Sequence, residues 1–211
     1  MSKNVKTALI LASFAIFIAI GFTLKIISLK QGEELQEVRM FPGTLDLPAF
    51  SLQNEASRPF TNESLIGQWN ILFFGYTHCP DVCPTTLANL AKLVNGLPKH
   101  LQNKVQVIFV SVDPERDTPQ QLKTYVEYFN KNFRGVTGTH DQLQPFAKSL
   151  GAIYFKGAVD ENGNYPVDHS SKIFLVNPQG KRAGIFDGQI TPPSKTYPFD
   201  ALVKDFINIL K

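Results

Sequence analysis

Two cysteines occur in the chain, Cys79 and Cys83, four positions apart in Gly75-Tyr76-Thr77-His78-Cys79-Pro80-Asp81-Val82-Cys83-Pro84. Residues four apart on a helix share a face, with Cβ atoms ~5–6 Å apart. A disulfide needs Cβ atoms ~3.5–4.5 Å apart. A Cys79–Cys83 disulfide is therefore expected only if Cys79 lies before the regular helix, and it should be strained and reducible. Two thiolates held slightly apart suit one soft metal ion, and copper(I) prefers such sulfur ligands. A third donor is needed, and His169 in Asp168-His169-Ser170-Ser171 is the candidate. Cys79, Cys83 and His169 would give an S₂N set, unlike the His₂Cys arrangement of blue copper sites. Zinc accepts the same ligands plus a water. The plainer alternatives are a structural disulfide and a hydrogen-bonded loop histidine.

Other residues near this chemistry have simpler expected roles. His78 abuts Cys79 and is expected to point away from it. His100 and His140 sit among turn residues and should be solvated. Asp113, in Asp113-Pro114-Glu115-Arg116-Asp117-Thr118, falls on the same sheet edge as the cysteines and could support a metal site from outside the ligand set. A turn and helix cap is the competing role.

These residues need elements to position them. Trp69–Tyr76 and Val105–Val112 are apolar runs that predict central strands buried on both faces. Leu87, Leu90, Ala91, Val94 and Leu97 recur at helical spacing between them, as a parallel crossover requires. Asp117-Thr118-Pro119 announces a second helix through Leu122, Tyr125, Val126 and Phe129, and a third is expected over Asp141–Leu150. Lys172–Val176, a turn at Asn177-Pro178-Gln179-Gly180 and Arg182–Phe186 predict an antiparallel hairpin, followed by a closing helix from Phe199 to Leu210. The order βαβ, further α, then ββα is an α/β layout of thioredoxin type, a mixed sheet with helices on both faces. The cysteines then lie where a buried strand gives way to a helix N-terminus, whose free N–H groups stabilise thiolate.

The 211 residues carry 21 Lys plus Arg and 18 Asp plus Glu, but residues 1–30 hold four lysines and no acid. The remainder is close to neutral, so no basic face for nucleic acid is implied. From Thr7 to Leu24 no charged residue occurs. That run reaches the lower limit for crossing ~30 Å of hydrocarbon and exceeds the usual apolar core of a removable signal. The expected organisation is a short cytoplasmic segment (1–6), a transmembrane anchor (7–24), a stalk (25–44) and one folded domain (45–211). Cleavage after Ala19-Ile20-Gly21 is the alternative to an uncleaved anchor. Only six residues precede the apolar run, which favours a bacterial inner membrane over a mitochondrial one.

Gly75–Pro84, then Ser111-Val112-Asp113-Pro114-Glu115-Arg116-Asp117-Thr118-Pro119, then Val167-Asp168-His169-Ser170-Ser171 resemble, in order and separation, three signature blocks of the Sco/SenC family. The resemblance covers roughly residues 45–211 and the single N-terminal anchor. It implies a thioredoxin-like copper-binding domain facing the periplasm, with copper held by Cys79, Cys83 and His169. It further implies a metallochaperone that serves the binuclear copper site of cytochrome c oxidase subunit II. A thiol reductant or upstream copper donor is then a required second partner, because the cysteines must be reduced to take copper(I). The same cysteines would serve a thiol–disulfide oxidoreductase acting on that site, with Cys79 as attacking thiolate, or a redox or copper sensor.

Overall fold

The computed structural model describes residues 16–21, 35–187 and 199–211. It divides into two compact units, Met1–Leu35 and Gln36–Lys211. In the first, residues 16–21 are helical and exposed, and the rest of the expected anchor (7–24) lies outside the described residues. Among the described residues no helix is long and apolar enough to cross a membrane.

The second unit is a mixed α/β fold. Its elements are β1 (Arg39–Asp46), β2 (Ser51–Asn54), β3 (Pro59–Thr61), β4 (Trp69–Gly75), α1 (Val82–Gly96), α2 (Lys99–Gln102), β5 (Val105–Ser111), α3 (Pro119–Phe129), β6 (Arg134–Thr137), α4 (His140–Leu150), β7 (Tyr154–Lys156), β8 (Val167–His169), β9 (Lys172–Val176), β10 (Lys181–Asp187) and α5 (Phe199–Ile209). Eight strands form one sheet in the order β1-β10-β9-β4-β5-β6-β2-β3, while β7 and β8 form a separate two-stranded ribbon. The β4, β5 and β6 strands are parallel, and β9 returns antiparallel along β4.

The two expected central strands are central because both of their faces are covered. From β4, Leu72 and Phe74 face Phe146 of α4 and Phe174 of β9. Phe73 faces the other way, to Phe109 of β5, whose ring meets Tyr125 of α3. Phe206 of α5 packs on Phe186 of β10, on the Phe73 side of the sheet. Helices therefore cover both faces. Burying each such aromatic ring stabilises the fold by roughly 1.5–3 kcal/mol.

The expected cap and proline start of α3 are present: the Thr118 side chain accepts the Gln121 N–H while the Gln121 amide oxygen accepts the Thr118 N–H, with Pro119 in the first turn. Two details differ from the sequence expectations. Part of the expected stalk (25–44) is strand, since β1 pairs antiparallel with β10 at the sheet edge. His169 ends β8 rather than lying in an open turn, opposite Tyr154 of β7.

The entry to β1 is fixed from the far end of the chain. The buried carboxylate of Asp205 in α5 accepts backbone N–H groups from Gln36, Glu37 and Val38, at 3.0, 2.7 and 2.9 Å. An Asp205→Ala substitution strands three N–H donors at once, and we expect it to lower unfolding free energy by ~2–4 kcal/mol in urea titrations. Asp205→Asn keeps one acceptor oxygen and should lose less. Equal stability of Asp205→Ala and the wild type would contradict this account.

Candidate metal centre

Two parallel strands end side by side, β4 at Gly75 and β5 at Ser111, and a single carboxylate ties off the loops that follow. Asp117, 1% exposed, accepts the Thr77 N–H at 2.9 Å, the Thr77 hydroxyl at 2.6 Å and the Ser111 hydroxyl at 2.6 Å. The chain after Thr77 makes a tight turn in which the Cys79 N–H reaches the Tyr76 carbonyl. Cys79 thus lies outside the helix, and α1 begins three residues later at Val82. The Cys83 N–H, in the first turn of α1, points at Cys79 Sγ at 3.4 Å. This is the favourable end of the helix for a thiolate.

The two sulfurs are unequal. Cys83 is fully buried, and Cys79 is partly exposed. Cys83 has room only because β4 ends in glycine: a Cβ on Gly75 would stand 2.7 Å from Cys83 Sγ and 2.7 Å from the Phe109 ring. The third donor comes from the ribbon. His169 Nε2 lies 3.4 Å from Cys83 Sγ, and its ring stands edge-on to Phe73 at 5.9 Å and to Tyr76 at 6.1 Å. His169 Nδ1 is 3.2 Å from the Ser170 carbonyl oxygen. A carbonyl can only accept, so Nδ1 carries a proton and Nε2 is the nitrogen left to offer a lone pair.

One ligand atom from each of Cys79, Cys83 and His169 falls within 4.8 Å of the others. Bonds of ~2.0–2.3 Å to a shared ion allow donor atoms up to ~4.6 Å apart, so the three could close on one ion with little movement. Two sulfurs and an imidazole form a soft donor set, matched to copper(I) and acceptable to zinc.

The pair also shares a proton unevenly. Cys79 is held down to about 4, chiefly by the Cys83 thiol donating to it, with the Cys83 and Asp81 backbone groups adding to the effect against the opposing cost of burial. Cys83 is pushed far up, first by that same bond to Cys79 and then by burial. The resting pair is therefore one thiolate and one thiol.

Asp113 has other partners. Its carboxylate is paired with Arg116 and accepts the Tyr165 hydroxyl at 2.8 Å. His78 turns its Nδ1 to the Thr77 hydroxyl at 3.2 Å and to Asp117 at 3.5 Å. One atom each from His78, Asp113 and Asp117 also fall within 4.8 Å, but both carboxylates are already engaged by Arg116, Tyr165, Thr77 and Ser111. His100 is exposed as expected. His140 instead stacks on Tyr154, its Nδ1 3.2 Å from the phenol oxygen. Sequence reasoning missed Asp117 by reading Asp-Thr-Pro as a cap. The available signal was its place just past a buried strand on the edge that bears the cysteines.

The family model for SCO1/SenC matches residues 43–201. A candidate copper-binding protein of Stutzerimonas stutzeri is 39% identical over 171 residues, 80% of this chain and 83% of that protein. Of the mitochondrial relatives it matches, the chain spans about half the length or less. The crystal structure of Arabidopsis thaliana ScoI with copper bound superposes with a TM-score of 0.66 at 33% identity, covering 77% of this chain and 96% of that one. BsSco, a member of the Sco family of cytochrome c oxidase assembly proteins in which a disulfide switch was identified, gives a TM-score of 0.60 at 27% identity over 82% of this chain and 97% of that one. Sequence and fold agree, and the chain belongs to the SCO1/SenC family.

Proposed function

We propose that this chain is a membrane-anchored copper metallochaperone. In this reading Cys79, Cys83 and His169 hold copper as cargo and pass it to the binuclear copper site of cytochrome c oxidase subunit II. The observation that carries it is the approach of two sulfurs and one imidazole nitrogen to within 4.8 Å at the end of the sheet. A copper-bound neighbour of the same fold and the oxidase-assembly role named for BsSco support it. The uncharged run 7–24 supports a bacterial inner-membrane anchor with the folded unit in the periplasm. Three protein ligands leave a coordination position free, through which an acceptor thiolate can share the ion before the protein ligands let go. Cys79, partly exposed, is the sulfur such an acceptor meets first.

A second reading is favoured by the inequality of the two sulfurs. A partly exposed thiolate beside a buried thiol is the arrangement of a thiol–disulfide reductant. Cys79 would attack a partner disulfide, forming a mixed disulfide and releasing one partner thiolate. Cys83 would then displace the second partner sulfur, leaving a Cys79–Cys83 disulfide and a reduced partner. An upstream thiol reductant returns the pair to its starting state.

Two outcomes test these readings. After anaerobic copper(I) loading, Cys79→Ser, Cys83→Ser and His169→Ala should each lose more affinity than the ~10–100-fold that removal of an outer-sphere partner costs, measured by chelator competition. Retention at wild-type affinity by all three would end the metal reading. In the metal-free protein, the Cys79 thiolate forms as pH rises through about 4. Its alkylation rate by iodoacetamide should fall below that pH and be flat above about pH 5, where an ordinary thiol with a pKa of ~8.5 still gains about tenfold per unit. A rate that climbs about tenfold per unit through neutral pH would show that the thiolate is not stabilised.

A further inference from the structure

The strands that bring His169 to the sulfurs are not hydrogen-bonded into the main sheet: β7 and β8 pair with each other. Within the ribbon, the Gly157 N–H reaches the Pro166 carbonyl and the Ser170 N–H reaches the Ile153 carbonyl. Neither bond fixes the angle at which the ribbon meets the rest of the fold. Val167 anchors it by burial among apolar residues, which is non-directional, and by one backbone hydrogen bond to the Tyr76 side chain. His140 meets Tyr154 on one flank. On the other, the directional contacts gather on the turn that carries Arg116.

Arg116 lies in the turn after β5. Its Nε pairs with Asp113, and its Nη2 donates to the Tyr165 carbonyl at 3.0 Å. Its plane covers the Tyr165 ring at 3.7 Å, and the Tyr76 ring lies 5.6 Å away. The Tyr165 hydroxyl returns to the same turn, donating to Asp113 at 2.8 Å and Glu115 at 3.0 Å. Lys156 of β7 pairs with Glu115 and sits 4.0 Å from the Tyr165 ring. Tyr76 is also the residue whose ring stands edge-on to His169. A planar group with five donors can stack and bond in two directions at once, which a lysine cannot.

We propose that Arg116 is a positioning residue: by clasping Tyr165 against Tyr76 and Asp113 it locks the β7–β8 ribbon at the angle that brings His169 to the cysteine pair. The inference deepens the copper reading and rests on it for its consequence, but the clasp itself exists without metal. With the clasp open, the imidazole leaves and two sulfurs remain, so Arg116 governs whether the site offers three ligands or two.

The test uses the full chain. In the metal-free state, Arg116→Gln should raise amide exchange at Gly157 and Ser170 by at least about tenfold while the β4 and β5 amides stay protected. Arg116→Lys should resemble Arg116→Gln, and Tyr165→Phe, which keeps the stacking, should show a smaller effect. With copper(I), Arg116→Gln should weaken binding and remove the nitrogen scatterer from the X-ray absorption spectrum, and it should cause no further loss when added to His169→Ala. Unchanged ribbon exchange, exchange rising through the whole sheet, full rescue by lysine, or additive losses with His169→Ala would each overturn the proposal. Equal copper affinity of His169→Ala and wild type would instead overturn the metal reading, leaving the exchange data to decide the clasp.

Discussion

Everything at this site depends on one buried carboxylate meeting three donors. Without Asp117, the turn after β4 and the end of β5 would each leave polar groups unpaired at a sheet edge that also has to bury a cysteine. An unpaired buried polar group costs ~1–3 kcal/mol. By satisfying Thr77 twice and Ser111 once, Asp117 fixes where the chain turns back, and so where Cys79 stops short of the helix. The helix N-terminus then points its free N–H at that sulfur. The soft donor pair is a by-product of how the backbone polar groups are satisfied.

The sulfurs and the imidazole reach the same place by unlike routes. The cysteines come from one continuous strand–loop–helix passage, rigid because Phe73, Phe74 and Phe109 bury the strands on both faces. His169 comes from a ribbon outside the sheet. Under the proposed delivery role, rigid donors on one side and a donor from a separate ribbon on the other would let an ion be both held and let go. A site built wholly on the sheet would bind well and release poorly.

Much of this was legible in the sequence. The apolar runs of β4, β5 and β9, the helical spacing of α1 and α5, and the proline-led start of α3 all follow from local pattern. The strands toward the two ends of the sheet did not: β2, β3 and β6 have four residues or fewer, and β1 is mostly exposed, so none carries enough alternation to stand out. The positions of Cys79, Cys83 and His169 could be read because residue types that bind soft metals are rare and these were few. Asp117, Arg116 and Tyr165 could not, because acids, bases and phenols are common and their meaning lies in partners 40 to 52 residues away.

The inequality of the cysteines has a consequence under oxidative stress. A peroxide arriving from solvent meets the ionised sulfur of Cys79 and converts it to a sulfenic acid, while Cys83 is shielded by Gly75 and Phe109. The buried thiol is already in contact with its neighbour. It can displace hydroxide from the sulfenic acid before a second peroxide carries that sulfur to the irreversible sulfinic state. The burial that makes Cys83 a poor nucleophile toward outsiders thus turns it into a safeguard for the one sulfur that outsiders can reach.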